Sequence, residues 1–244
     1  MFTLPRVMGH RGAAGAAPEN TLAGLRHAAA IGLSWVEFDV MLTGDGVPVL
    51  FHDDMLTRTT GHAAPMAGTP HAVVRTLDAG AWFHADHAGE GVPTLEAALA
   101  EVLTLGLRAN IEIKPTPGTE RETAVAALEV LIRCWPPDRP PPLISSFKRA
   151  SLAVALERAP QWPRALIVRR PPRDWRRAAV DLQCSAVHAS ARWLSKRRVA
   201  EIKQAGYGVA AFTVNDPSRA RKLIARGVDC LITDEPALIL TSVN

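Results

Sequence analysis

The chain has 244 residues, 48% hydrophobic and 21% charged, which excludes a disordered segment and suits one α/β domain with a sizeable core. Its formal net charge is only +4, and the densest basic stretch, Arg169 to Arg198, reads as a solvated face that can aid capture of anionic substrates, because no interleaved aromatics mark it as a nucleic-acid surface. Cys134, Cys184 and Cys230 lie far apart, which argues against a disulfide framework or a zinc site.

The N-terminus, Met1 to Arg6, lacks the apolar region of a signal peptide and runs straight into a β-rich stretch. No apolar run is long enough to span a membrane. The expectation is a soluble cytoplasmic protein, monomer or homodimer, with no stable membrane insertion and no nucleic-acid partner.

Eight short β-rich runs alternate with helical ones: 7–12, 35–40, 108–114, 143–147, 164–168, 186–189, 208–214 and 228–234. A further extended piece, 47–52, follows the second run, with Gly44-Asp45-Gly46 as the turn. Asn20 is expected to cap the first helix, Thr94 the next, and Thr119 with Glu122 to form a capping box. Ser195 opens a helix that stops at Gly206, and Asp216-Pro217 opens one that Gly227 closes. Eight strands alternating with helices fit a closed barrel or a doubly wound sheet. The barrel is preferred because Gly12-Ala13-Ala14-Gly15 is no dinucleotide loop. The expected architecture is a (β/α)8 TIM barrel spanning residues 1–244 as one domain. An irregular Gly-, His-, Ala- and Pro-rich insertion, about 53–93, interrupts it after the second strand, as a small cap at the C-terminal mouth.

In a strand, residues i and i+2 point the same way. Glu37 and Asp39 therefore share a face near the end of the second strand, and Glu112 and Lys114 share one on the next. Polar residues at strand C-termini line the active sites of such barrels. Buried like charges are costly unless paired or bound to a cation. Solvated strand ends, or ion pairs with Lys114, account for one such acid more easily than for three on neighbouring strands. Glu37, Asp39 and Glu112 thus point to a metal site, and all-oxygen ligands select one hard divalent cation, Mg²⁺ or Ca²⁺. His10 and His52 each end an extended run near these acids and suit a general acid–base pair. The other six histidines (His27, His62, His71, His84, His87 and His188) look ordinary, most of them on a helix face or in the insertion.

His10-Arg11-Gly12, Pro18-Glu19-Asn20-Thr21, Glu37-x-Asp39, His52-Asp53-Asp54, Leu56-x-Arg58-Thr59-Thr60, Glu112-Ile113-Lys114 and Thr233-Asp234-x-Pro236 occur in that order. This ordered set resembles the glycerophosphodiester phosphodiesterase family over nearly the whole chain. The resemblance implies an enzyme, a phosphoric diester hydrolase of glycerophosphodiesters that yields glycerol 3-phosphate and an alcohol. It implies metal ligands at Glu37, Asp39 and Glu112, a catalytic pair at His10 and His52, and phosphate contacts at Arg11 and Lys114. Glu19 and Phe212 match further substrate-binding positions. Phe212 stands where the family often has tryptophan, which keeps an apolar wall but loses an N–H donor. A related barrel phospholipase or lyase that releases a cyclic phosphate is the alternative, with a non-enzymatic phosphate-binding barrel behind it.

Overall fold

The computed structural model describes residues 2–243. Its strands are β1 (Val7–Gly9), β2 (Trp35–Leu42), β3 (Pro48–Leu50), β4 (Arg108–Ile113), β5 (Leu143–Ser146), β6 (Arg164–Val168), β7 (Ala186–Ser190), β8 (Gly208–Phe212) and β9 (Cys230–Thr233). All but β3 pair in parallel around the series, and a β1–β2 pairing closes it into an eight-stranded barrel. β3 adds antiparallel to β2, with Val40 opposite Leu50. The helices are α1 (Leu22–Ala30), α2 (Thr57–Thr60), α3 (His71–Val74), α4 (Leu95–Thr104), α5 (Glu120–Cys134), α6 (Arg149–Arg158), α7 (Trp175–Asp181), α8 (Lys196–Gln204), α9 (Pro217–Ala225) and α10 (Pro236–Val243). The parallel strands are buried on both faces, which is why they read as near-continuous apolar runs.

Two apolar layers result. Val36, Phe38, Ile111 and Val209 face outward against helix residues such as Leu25, Leu99, Leu128 and Val199. Met8, Trp35, Leu143, Ala165, Ala186, Ala210 and Cys230 face inward and pack together, most of them at or near strand N-termini. Phe2 meets Trp35 edge-on at 6.2 Å, and the Arg108 guanidinium lies 4.3 Å from the Trp35 ring. The barrel is therefore plugged at its N-terminal end, and polar side chains inside it gather toward the C-terminal end.

Thr94, Ser195 and Asp216 cap their helices by accepting from the Ala97, Arg198 and Arg219 amides. Two cap expectations are corrected. Thr21, not Asn20, caps α1, accepting from the Gly24 amide at 3.1 Å. The Thr119 hydroxyl donates to the Thr116 carbonyl and caps nothing, so no capping box forms at α5.

The 53–93 segment holds α2, α3 and short 3₁₀ turns at Met66–Gly68 and Ala85–His87. Its Leu56, Met66, Val74, Ala79 and Val92 pack on Met41, Val49 and Phe51 of the β2–β3 hairpin. Trp175 is buried while Trp193 is exposed, so the tryptophans of this half form no shared exposed patch. Among the described residues, no helix is long and apolar enough to cross a membrane.

Candidate active site

A cavity of about 200 Å³ opens at the C-terminal end of the barrel. His10, Arg11, Glu37, Asp39, His52, Glu112, Lys114 and Phe212 all line it. Strand register brings the acids together. Asp39 pairs with Glu112 across β2 and β4, and Glu37 lies one inward position deeper on β2. One carboxylate oxygen from each of Glu37, Asp39 and Glu112 lies within 4.8 Å of the others, and all three side chains are buried.

Two cations partly balance these acids. Arg11 Nε lies 3.4 Å from Asp39 Oδ2, and Lys114 Nζ lies 3.7 Å from Asp39 Oδ1 and 3.9 Å from Glu112 Oε1. Burial and the neighbouring Asp39 and Glu112 push the Glu37 carboxyl well above the usual range. Burial and Asp39 push Glu112 up to about 8. Burial opposes ionisation of Asp39 too, but Arg11 and Lys114 outweigh it and hold Asp39 low. Glu37 Oε1 is buried with no hydrogen-bond partner among the described residues. Three converging carboxyl oxygens that resist ionising together, and a buried acceptor unpartnered among the described residues, fit a hard divalent cation.

Each histidine is held by a carboxylate. His10 Nδ1 lies 2.6 Å from Asp234 Oδ1, which leaves Nε2 free, 3.9 Å from Glu37 Oε2. Asn215 Nδ2 donates to Asp234 Oδ2 at 2.7 Å, and the Asp234 amide donates back to Asn215 Oδ1. His52 Nδ1 lies 2.5 Å from Asp53 Oδ1, again leaving Nε2 free. Burial opposes the Asp53 charge, but hydrogen bonds from Arg58 and His52 hold its carboxyl down at about 2. Burial lowers the His52 imidazolium, and Arg11 and Lys114 add to that against the pull of Asp39. Each carboxylate thus orients its imidazole through Nδ1 and leaves Nε2 for the cavity.

The model of the glycerophosphoryl diester phosphodiesterase family matches residues 10–238. The chain belongs to that family. It is 29% identical to a glycerophosphodiester phosphodiesterase of Caldanaerobacter subterraneus subsp. tengcongensis, over 98% of this chain and 97% of the relative. A Bacillus subtilis glycerophosphodiester phosphodiesterase is 30% identical, over 94% of this chain and 83% of the relative. Among solved structures, an Oleispira antarctica phosphodiesterase in complex with the product sn-glycerol-3-phosphate superposes with a TM-score of 0.95. It is 42% identical, covering 98% of this chain and 97% of that one.

Glu19, expected among the substrate-binding residues, sits behind Arg11. Glu19 does not line the cavity. Its carboxylate accepts from Arg11 at 2.7 Å and from both terminal nitrogens of Arg58 at 2.8 and 2.7 Å. An anion so spent positions arginines and would repel phosphate. Asn20 serves Asp39: its Nδ2 donates to Asp39 Oδ2 at 2.9 Å and its Oδ1 accepts from the Asp39 amide at 3.1 Å. The pairing needs Asn20 at φ +55, a conformation asparagine tolerates better than most residues.

Other residues were missed as site members. Asp234 lies in the Thr233-Asp234-x-Pro236 motif, which by itself assigns it no role, and Asn215 carries no signal of its own. Arg169 was grouped with the surface arginines, but it follows β6 and lines the cavity. Asn110 and His188 also line it. Strand alternation marks Asn110 as sharing the face of Glu112. His188 looks ordinary in the sequence, but it is fully buried within β7, the strand expected at that position.

Proposed function

We propose that this protein hydrolyses glycerophosphodiesters to glycerol 3-phosphate and an alcohol. The reading further assigns one divalent cation, Mg²⁺ or Ca²⁺, to Glu37, Asp39 and Glu112. One observation carries it: a buried acidic triad shares a cavity with two histidines, each anchored through Nδ1 by its own carboxylate.

A phosphodiester resists attack because its oxygens are negative. When bound, the cation supplies charge neutralisation at the phosphoryl group. The Arg11 guanidinium, with one nitrogen held by Glu19, turns its planar fork toward a phosphate oxygen, and Lys114 adds a point charge. His10 Nε2 takes the proton of the attacking hydroxyl as the new P–O bond forms. His52, entering the step as the imidazolium with Nδ1–H on Asp53, gives its Nε2 proton to the departing alcohol oxygen as the old P–O bond breaks. Water or the glycerol 2-hydroxyl can serve as the attacker. In the second case the cyclic phosphate is opened by water with the two histidines exchanging roles. Phe212 stands edge-on to Phe147 at 5.8 Å, an apolar wall suited to glycerol carbons.

Phosphorus NMR of glycerophosphocholine with purified protein and Mg²⁺ or Ca²⁺ tests this reading. Growth of the glycerol 3-phosphate resonance is the expected result. A cyclic phosphate that persists as the end product supports a lyase instead, and no conversion refutes both.

A further inference from the structure

One cation of the cavity wall takes no part in the chemistry above. Around the closed ring of eight parallel strands, β6 stands four staves from β1 in either direction. Arg169 follows β6 as His10 and Arg11 follow β1, so it faces them across the mouth. Ile167 lines the cavity, and Arg169, two residues on, lines it as strand alternation requires. Ile167 is buried and Arg169 is exposed, which places the arginine at the lip. Other arginines about the mouth are paired: Arg58 with Asp53 and Glu19, and Arg149 with Asp174 at 2.8 Å. Among the described residues, the Arg169 guanidinium has no carboxylate partner.

The rim on that side is cationic and aromatic. Arg170 comes next in the chain, and its guanidinium lies 4.7 Å from the ring of Trp193, in the 3₁₀ turn after β7. Arg192 lies 5.6 Å from the same ring. The connections after β6 and β7, residues 169–174 and 191–195, contain a single acid, Asp174, which Arg149 holds. The acids across the mouth are engaged as well, Asp53 by His52 and Arg58, and Asp234 by His10 and Asn215. The phosphoryl charge is met by Arg11 and Lys114, which follow β1 and β4 on the far side. Arg169 is left for whatever the diester carries beyond its phosphorus.

We propose that Arg169, backed by Arg170, selects the leaving alcohol by charge, favouring one that bears its own phosphate or carboxylate over one that bears an ammonium group. This rests on the glycerophosphodiester reading above and adds a substrate class to it, the anionic glycerophosphodiesters. A guanidinium can meet a phosphate or carboxylate through two parallel N–H···O bonds. A quaternary ammonium meets the same guanidinium as a like charge, with no acid free beside it. Its natural seat here, the aromatic face of Trp193, already holds Arg170 and Arg192.

The test measures kcat/KM, with Mg²⁺ or Ca²⁺ supplied, for the diesters of glycerol 3-phosphate with choline, ethanol and ethylene glycol monophosphate. These leaving alcohols are positive, neutral and negative. Arg169→Gln should shift the ratio of the anionic to the choline diester about tenfold toward choline, and Arg169→Glu should shift it further the same way. Comparing variants on the same substrates cancels differences in leaving-group reactivity. An equal fall for all three diesters would mean that Arg169 holds the phosphoryl group or the fold, and would overturn the proposal. Should the variants fail to fold, the wild type decides. Raising salt to roughly 0.5 M should lower kcat/KM for the anionic diester and raise it for the choline diester, each relative to the ethanol diester, because the arginine is exposed to screening. Parallel salt trends for the two charged diesters would overturn it. If the wild type turns over none of the three, the functional reading falls as well, whereas turnover with ratios unchanged in both variants overturns the charge selection alone.

Discussion

Asp234 Oδ1 lies 2.6 Å from His10 Nδ1, across 224 residues of sequence. The contact joins the end of the first barrel strand to the end of the last, so barrel closure itself assembles this dyad. A carboxylate in that position sets the tautomer and stabilises the imidazolium that forms when Nε2 takes a proton. Asp234→Asn keeps the shape but can leave the wrong nitrogen protonated. We expect kcat to fall by about 10²–10⁴-fold with the melting temperature nearly unchanged. Steady-state kinetics on glycerophosphocholine beside a thermal melt checks this, and wild-type kcat would refute the role.

Arg58 ties the 53–93 segment to the site. It donates to Asp53 Oδ2 at 2.5 Å and makes two bonds to Glu19, which in turn holds Arg11. Arg58→Ala should release His52 and Arg11 together, lowering kcat/KM by at least about tenfold. Arg58→Lys should not restore it, because a point charge cannot span two carboxylates as a planar fork does. Full rescue by lysine would show that charge alone matters.

Asn20 and Asp39 are reciprocally bonded in a buried site. Asn20→Ala leaves an Asp39 oxygen and amide unpaired and places alanine at positive φ. The expected loss is about 1–3 kcal/mol of unfolding free energy, measured by urea denaturation. An unchanged midpoint would contradict it.

The acids predict how metal binding depends on pH. Glu112 is raised to about 8, so it holds a proton at neutral pH when no cation is bound, and burial beside Asp39 and Glu112 raises Glu37 in the same direction. Cation binding needs carboxylates, so it should expel protons, and affinity should climb with pH toward about 8. The sign for stability runs the other way. A carboxyl raised in the folded state binds more protons there than in the unfolded chain. Its contribution to metal-free stability therefore falls as pH rises from the ordinary value near 4.3 toward the folded one. Calorimetric titration of Mg²⁺ or Ca²⁺ in buffers of different ionisation enthalpy measures the proton count, and a pH-independent affinity would contradict the assignment.

Much of this architecture was readable from residue pattern, and the exceptions have physical causes. The barrel strands appeared as apolar runs because each is covered on both faces. Several strands end earlier than their apolar patterns imply. The first was expected to reach Gly12, but β1 stops at Gly9 because the chain turns there and carries Arg11 at φ +50 so that its amide meets Glu37. Asn20 and Thr21 are both good cap residues, and only the Asp39 contact decides between them. Thr119 failed as a cap because a nearer carbonyl captured its hydroxyl. The acids and the two histidines were legible because charged or titratable residues at strand ends are conspicuous. His188 was not, because its place within a buried strand becomes significant only once the barrel closes and leaves both ring nitrogens facing the interior without partners.

The central claim is that Glu37, Asp39 and Glu112 hold one divalent cation beside His10 and His52. Anomalous diffraction from crystals soaked in Mn²⁺ addresses it most directly. The account predicts one strong peak within about 2.0–2.6 Å of a carboxylate oxygen from each of the three acids. A peak bound elsewhere on the molecule, with the three acids bare at saturating Mn²⁺, would contradict it.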